Sequence, residues 1–125
     1  VHKHLSKEVY RWKINDPYHG GVPDTYYSGP NNNCWIEYKY KHTLPAKCTS
    51  KIKINLSEQQ RIWLTRQKKH NIFTYAVFGS RDQVYVIEDF TITEITLKEF
   101  NKNAVAFKDF IQALTKHCLG ENNES

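Results

Sequence analysis

Leu5, Val9 and Trp12 recur at helical spacing, so the pattern predicts a short amphipathic helix over residues 4–13. Glu8 lies three residues after Leu5 and four before Trp12, which puts a carboxylate on the same apolar stripe. Such a group needs a partner, a metal or a raised pKa. Residues 15–21 break the pattern with Asp16-Pro17 and Gly20-Gly21 and read as loop. Residues 24–27 then predict a short strand, 28–33 the turn of a hairpin and 34–41 its return strand. Along that return strand Cys34, Ile36, Tyr38 and Tyr40 share one face; Trp35, Glu37, Lys39 and Lys41 share the other.

Residues 42–55 read as a basic loop with a short strand at 52–55. Ser57 followed by Gln60 is a capping box opening a helix to about Lys69, with Ile62 and Trp63 as its anchors. The runs 72–78 and 83–87 are β-rich and flank "GSRD", which predicts a second hairpin. Thr96 and Glu99 form another capping box. Phe107, Phe110, Ile111 and Leu114 make the stripe of a last helix ending near Gly120, and residues 121–125 read as a frayed tail. The order is helix, hairpin, helix, hairpin, helix: an α/β (α+β) chain with a mixed sheet flanked by helices. No repeat or low-complexity linker interrupts it.

Composition narrows this picture. A chain of 125 residues with 39% hydrophobic and 14% aromatic content fits one globular domain, here residues 1–120. No apolar run approaches the ~20 residues of a membrane span. No charged-then-apolar leader is present, so an intracellular, cytoplasmic site is expected. Met is absent even at position 1, so either the initiator is removed or the chain starts within a longer one. Cys34, Cys48 and Cys118 are odd in number and far apart, which predicts reduced packing cysteines rather than disulfides or a zinc site.

Charge changes the picture more. Residues 38–70 hold nine Lys/Arg against the single acid Glu58, a local +8 that leaves −3 for the remainder of a chain at +5. Lys41, Lys47, Lys51, Lys53, Arg61, Lys68 and Lys69 are the candidate contacts to a polyanion, with an ordinary solvated lysine-rich face as the alternative.

Glu37 and Lys39 point to one strand face about 6.5–7 Å apart. Asp24, opening the partner strand, can lie beside Glu37, and Glu8 can approach from the first helix. Converging carboxylates repel unless a cation neutralises them, and oxygen ligands of this kind suit Mg²⁺. A lysine beside them can orient an attacking water or offset charge growing on a phosphate oxygen. A surface hairpin carrying a cross-strand Glu–Lys pair would give the same letters, so Glu-x-Lys alone decides nothing.

The order of the motifs carries more. "GGVPDTYY", "WIEYKYK" and "LSEQQRIWL", preceded by Glu8, resemble the PD-(D/E)XK nucleases, most of all the small stand-alone VRR-NUC-type branch found in phages. The resemblance spans about residues 5 to 87 and implies a restriction-endonuclease-like core. It implies Asp24, Glu37 and the Tyr38 carbonyl as ligands of Mg²⁺, with Mn²⁺ as a substitute, and Glu8 as a supporting acid. Lys39 is then the catalytic lysine, and Gln60, with Gln59 as the alternative, the motif glutamine near the lysine or phosphate. Where the family leads one to expect Arg or Lys before "VPD", this chain has "DPYHGG"; His19 is the candidate phosphate contact in its place.

Other residues suggest less. His2 and His4 sit at a terminus, residues 42–48 lack zinc spacing, and His70 and His117 end predicted helices, where dipole compensation explains them. Tyrosines within 18–27 could stack on bases, although core packing explains most tyrosines in a β-rich domain. Two functions follow as expectations. One is a Mg²⁺-dependent endodeoxyribonuclease, acting as a homodimer on DNA, cutting either branched DNA or specific duplex sites. The other is a non-catalytic nucleic-acid-binding module on a nuclease-like fold.

Overall fold

The structure is a computed structural model, and the residues described are 5–14 and 21–120. His2, His4, His19, the Asp16-Pro17 break and the 121–125 tail lie outside them. The chain forms β1 (Tyr10–Lys13), β2 (Thr25–Ser28), β3 (Asn33–Tyr40), β4 (Lys51–Lys53), α1 (Glu58–Lys69), β5 (Thr74–Ser80) and β6 (Gln83–Ile87). It continues through β7 (Glu94–Thr96), α2 (Leu97–Asn103), β8 (Val105–Ala106) and α3 (Phe107–Leu119). Six strands make one sheet in the order β1-β2-β3-β5-β6-β8, and β4 and β7 pair in a separate ribbon. Every pair in the sheet is antiparallel except β3 with β5. The helix between those two, α1, is the crossover that a parallel pair requires.

Each face of the sheet has its own core. On one face, Leu64 of α1 and Phe100 of α2 pack with Ala76, Phe78, Ile87, Ile52 and Ile95. On the other, Ile111, Leu114 and Cys118 of α3 pack on Tyr27, Cys34, Ile36, Val77 and Val84. Along β3 the expected alternation puts Cys34, Ile36 and Tyr38 in the second core and turns Trp35 to the other face, against Trp63 of α1. The cysteines are free, Cys34 and Cys118 buried and Cys48 exposed. Among the described residues no helix is long and apolar enough to cross a membrane.

Both capping boxes form: Ser57 with Gln60 opens α1 and Thr96 with Glu99 opens α2. Gly120 closes α3 in the left-handed region, at φ 78°. Three expectations need correction. Instead of a helix over 4–13 there is a turn at Lys7–Glu8 and then the edge strand β1, paired from Tyr10↔Ser28 to Lys13↔Thr25. Of the supposed stripe only Val9 is buried, and Trp12 is 53% exposed. A helix of ten residues is marginal by itself, whereas β2 offers Tyr-Arg-Trp-Lys backbone partners and suits its β-forming aromatics. In α1 the anchor is Leu64, fully buried, while Ile62 is 52% exposed and Trp63 only partly covered. The strand expected at 52–55 occupies 51–53 and belongs to the β4/β7 ribbon, and β7 and β8 were not expected.

Candidate active site

Antiparallel pairing of β2 with β3 stops at Thr25↔Ile36. One register step further, Asp24 faces Glu37, and side-chain bonds replace the ladder. The Asp24 N–H donates to Glu37 Oε1 at 3.1 Å, and the Tyr38 N–H donates to Asp24 Oδ2 at 3.3 Å. Asp24 Oδ1 accepts from the Thr25 hydroxyl at 2.7 Å, and the Asp24 carbonyl accepts from the Ile14 N–H at 2.7 Å. The acid is therefore oriented from four directions.

The segment leading to it is also fixed. Gly21 has φ 92°, and a Cβ there would stand 2.4 Å from the Gln59 carbonyl oxygen. Only glycine lets this backbone lie against the first turn of α1. Pro23 is fully buried two residues later.

Glu37 is 5% exposed. Burial pushes its pKa above the ordinary carboxylate value, the charge of Asp24 adds to this, and Lys39 opposes it. Lys39 Nζ stands 3.5 Å from Glu37 Oε2. Backbone direction completes the cluster. The N–H groups of Trp35 and Lys41 donate to Phe73 and Gly79, on the β5 side, so odd-numbered residues of β3 bond that way. A strand residue turns its N–H and C=O to the same side, so the Tyr38 carbonyl points toward Asp24. The Tyr38 ring, on the other face, shares a 2.7 Å hydrogen bond with the Tyr27 hydroxyl.

This donor set fits a hard divalent cation. Two carboxylates and a carbonyl are oxygen ligands, and each carboxylate oxygen retains a lone pair beyond the bonds given. A cation would also offset the repulsion that raises Glu37. Glu8 does not complete the set: it is exposed in the turn before β1, and among the described residues no three His, Cys, Asp or Glu gather closely enough to hold a metal. The Gln60 side-chain oxygen accepts from the Ser57 N–H at 2.9 Å, so this glutamine serves the cap; Gln59 is exposed.

Comparison with known proteins bears on the fold. A solved structure similar to the chain is that of Hjc, a Holliday junction resolvase from the archaeal hyperthermophile Archaeoglobus fulgidus. The likeness has a TM-score of 0.52 at 10% identity and covers 83% of this chain and 87% of that one. The fold is restriction-endonuclease-like. No protein-family model matches the chain. No curated protein sequence matches it.

The basic residues divide into distinct environments on this fold. Arg61 donates to the main-chain carbonyls of Phe90, Ile92 (2.7 Å) and Ile54 (3.3 Å), so its guanidinium ties α1 to two loops. Lys68 donates to the Glu88 carbonyl at 2.7 Å and lies over the Phe90 ring. Lys51 pairs with Glu94 at 3.2 Å. Lys41, Lys47, Lys53 and Lys69 are exposed. The sequence reading passed over Arg11, Lys13 and Arg81, which with Lys39 line a cavity of about 510 Å³ walled by Tyr38, Tyr40 and Phe107. The signal for the first two was the aromatic–basic alternation of Tyr10-Arg11-Trp12-Lys13, hidden by reading that stretch as a helix.

Proposed function

We propose that the chain is a divalent-metal-dependent endonuclease that hydrolyses DNA phosphodiester bonds, with branched DNA such as four-way junctions as its substrate. The observation that carries this reading is the convergence of Asp24, Glu37 and Lys39 where β2 leaves β3. A domain that only binds DNA gains nothing from crowding two acids, one of them buried, where a phosphate must approach. The motif order shared with the VRR-NUC-type branch supports it, and so does a fold neighbour that is a Holliday junction resolvase.

Asp24, Glu37 and the Tyr38 carbonyl would hold Mg²⁺ or Mn²⁺. A bound ion supplies Lewis-acid stabilisation of charge on the phosphoryl oxygens and a more acidic water. The chain's own groups do the rest. Lys39, leashed to Glu37, holds a positive charge where a phosphate oxygen gains negative charge and can orient the attacking water. Asp24, fixed by Tyr38 and Thr25, keeps its position whether or not a substrate is present. Glu37 must lose its proton before it can act as a ligand, and its raised pKa makes that step pH-dependent. Two symmetric cuts in a junction require two such sites, which a two-fold homodimer provides.

The test is cleavage of a four-way junction, a matched linear duplex and a single strand in Mg²⁺. Junction cleavage that stops with EDTA is expected. Sequence-defined cleavage of the linear duplex would transfer the reading to a site-specific endonuclease. DNA binding with no cleavage in Mg²⁺ or Mn²⁺ would overturn it in favour of a binding module.

A further inference from the structure

On the sheet face that carries Glu37 and Lys39, aromatic rings run in an unbroken row from the β1 edge to α1. Tyr10 meets Trp12 at 5.6 Å between centroids, Trp12 meets Tyr26 at 6.2 Å, Tyr26 meets Trp35 at 4.6 Å and Trp35 meets Trp63 at 5.3 Å. Pairing of Trp12 with Tyr26 and of Tyr26 with Trp35 sets three of these rings side by side across the sheet. Trp35 is two residues before Glu37 on the same face, about 7 Å along the strand. The outer end is open, with Tyr10 63% and Trp12 53% exposed.

Core packing does not explain an outer end this exposed. A soluble domain gains little from displaying tryptophan and tyrosine on an edge strand. The charge on that strand suggests the occupant. Arg11 and Lys13 alternate with the rings, point to the other face, and line the cationic cavity that Lys39 also borders. β1 holds no acid. Single-stranded nucleic acid uses aromatic rings with cations within reach of its backbone: bases stack on the rings, Lys39 is the cation on the same face, and Arg11 and Lys13 stand round the edge of β1 on the other. A continuous duplex, with its bases already stacked on each other, cannot use the rings.

We propose that the Tyr10–Trp12–Tyr26–Trp35 row stacks unpaired bases of a single-stranded segment beside the scissile phosphate. Selection for branched or flapped DNA then comes from base stacking on the sheet face. The inference rests on the nuclease reading for the meaning of "scissile", but the row's binding is measured separately from cleavage.

The chain has three tryptophans, Trp12, Trp35 and Trp63, and all of them belong to the row. Tryptophan fluorescence of the unmodified protein, excited selectively over its eight tyrosines, therefore reports on the row. Titration with oligodeoxythymidylate and with a flapped duplex should quench it more than a fully paired duplex does. Tyr10→Ala/Trp12→Ala should reduce the preference for flapped over paired duplex by about tenfold, since each stacked base contributes at about that scale. Trp12→Phe should restore most of that loss. Oligonucleotide binding seen by anisotropy without quenching would overturn the proposal, as would equal losses on both substrates. Sedimentation of the double variant supplies the rival outcome: conversion of a dimer to a monomer would make the row an interface between copies and overturn the proposal. Mg²⁺-dependent cleavage is assayed in parallel. Row-dependent binding without any cutting removes only the nuclease reading, and cutting that ignores the row variants removes only this one.

Discussion

Replacing Lys39 with alanine probes the site through both stability and chemistry. Its ammonium lies 3.5 Å from Glu37, with side chains 25% and 7% exposed. Unit charges at that separation interact by about 5 kcal/mol at an effective dielectric near 20 and by about 1 kcal/mol in bulk water. A lysine one quarter exposed keeps the pair near the lower limit, about 1–2 kcal/mol. Lys39 is among the influences that lower the Glu37 pKa, so its removal raises a value that burial and Asp24 have already raised. A carboxyl with a raised folded-state pKa contributes stability that is fully present below its unfolded value, and this is lost as pH rises through the folded value. The variant should therefore match wild type near pH 4 and fall behind by about 1–2 kcal/mol at neutral pH. Urea unfolding from pH 4 to 8 reads this gap directly. In cleavage assays the loss of a charge aimed at the transition state should cost about 10²–10³ in rate, with DNA affinity nearly retained. Cutting within about threefold of wild type, some 0.65 kcal/mol, would refute the role given to Lys39. A stability gap that widens toward acid would refute the electrostatics.

Other perturbations separate the remaining roles. Mg²⁺ should raise the melting temperature of wild type but not of Asp24→Asn, because a ligand stabilises only the state that binds it; equal shifts in the two proteins would remove Asp24 as a ligand. Arg61→Ala should destabilise the fold by about 3 kcal/mol, since it leaves main-chain carbonyls without a charged donor, and the salt dependence of DNA binding should not change. Lys51→Ala/Lys53→Ala should flatten the slope of log K against log[salt] by about 1.8 if both contact phosphates. The Lys51–Glu94 pair is exposed and weak enough to yield to a phosphate, and an unchanged slope would leave the exposed face of α1 as the candidate surface.

Much of this architecture was legible because local signals agreed with the fold. The capping boxes at Ser57 and Thr96, the period-2 faces of β3 and the apolar stripe of α3 each form as their spacing predicts. The Asp24–Glu37–Lys39 cluster was legible for the same reason: strand geometry puts alternate residues on one face, and a hairpin brings its ends together. What failed depended on tertiary partners. Residues 10–13 fit a helical spacing by coincidence, and only the presence of β2 beside them makes them a strand. Arg61 reads as one more cation in a basic run, and nothing local shows three carbonyls converging on its guanidinium. Gln60 meets both a motif and a capping box, and the structure uses its side chain for the cap.

The register of the β2/β3 hairpin decides whether the site exists. A slip of one residue would turn Glu37 and Lys39 to the α3 face and bring Tyr38 in their place. Pairing alone protects weakly against this, since β2 has only four residues. The turn gives the stronger constraint. Asn31 and Asn32 both donate their N–H groups to the Cys118 carbonyl at 3.1 Å, and the Asn32 side chain donates to the His117 carbonyl at 2.9 Å. A Cβ on Gly29 would stand 2.4 Å from that same Cys118 carbonyl oxygen, so the turn lies directly on the end of α3. At the other end of the hairpin, Gly21 seats the approach to Asp24 against α1. Asp24 and Glu37 are thus aligned by two helices that lie outside the cluster. The C-terminal segment, outside the span of the motif resemblance, belongs to the architecture of the candidate site because it fixes which residue of β3 faces Asp24.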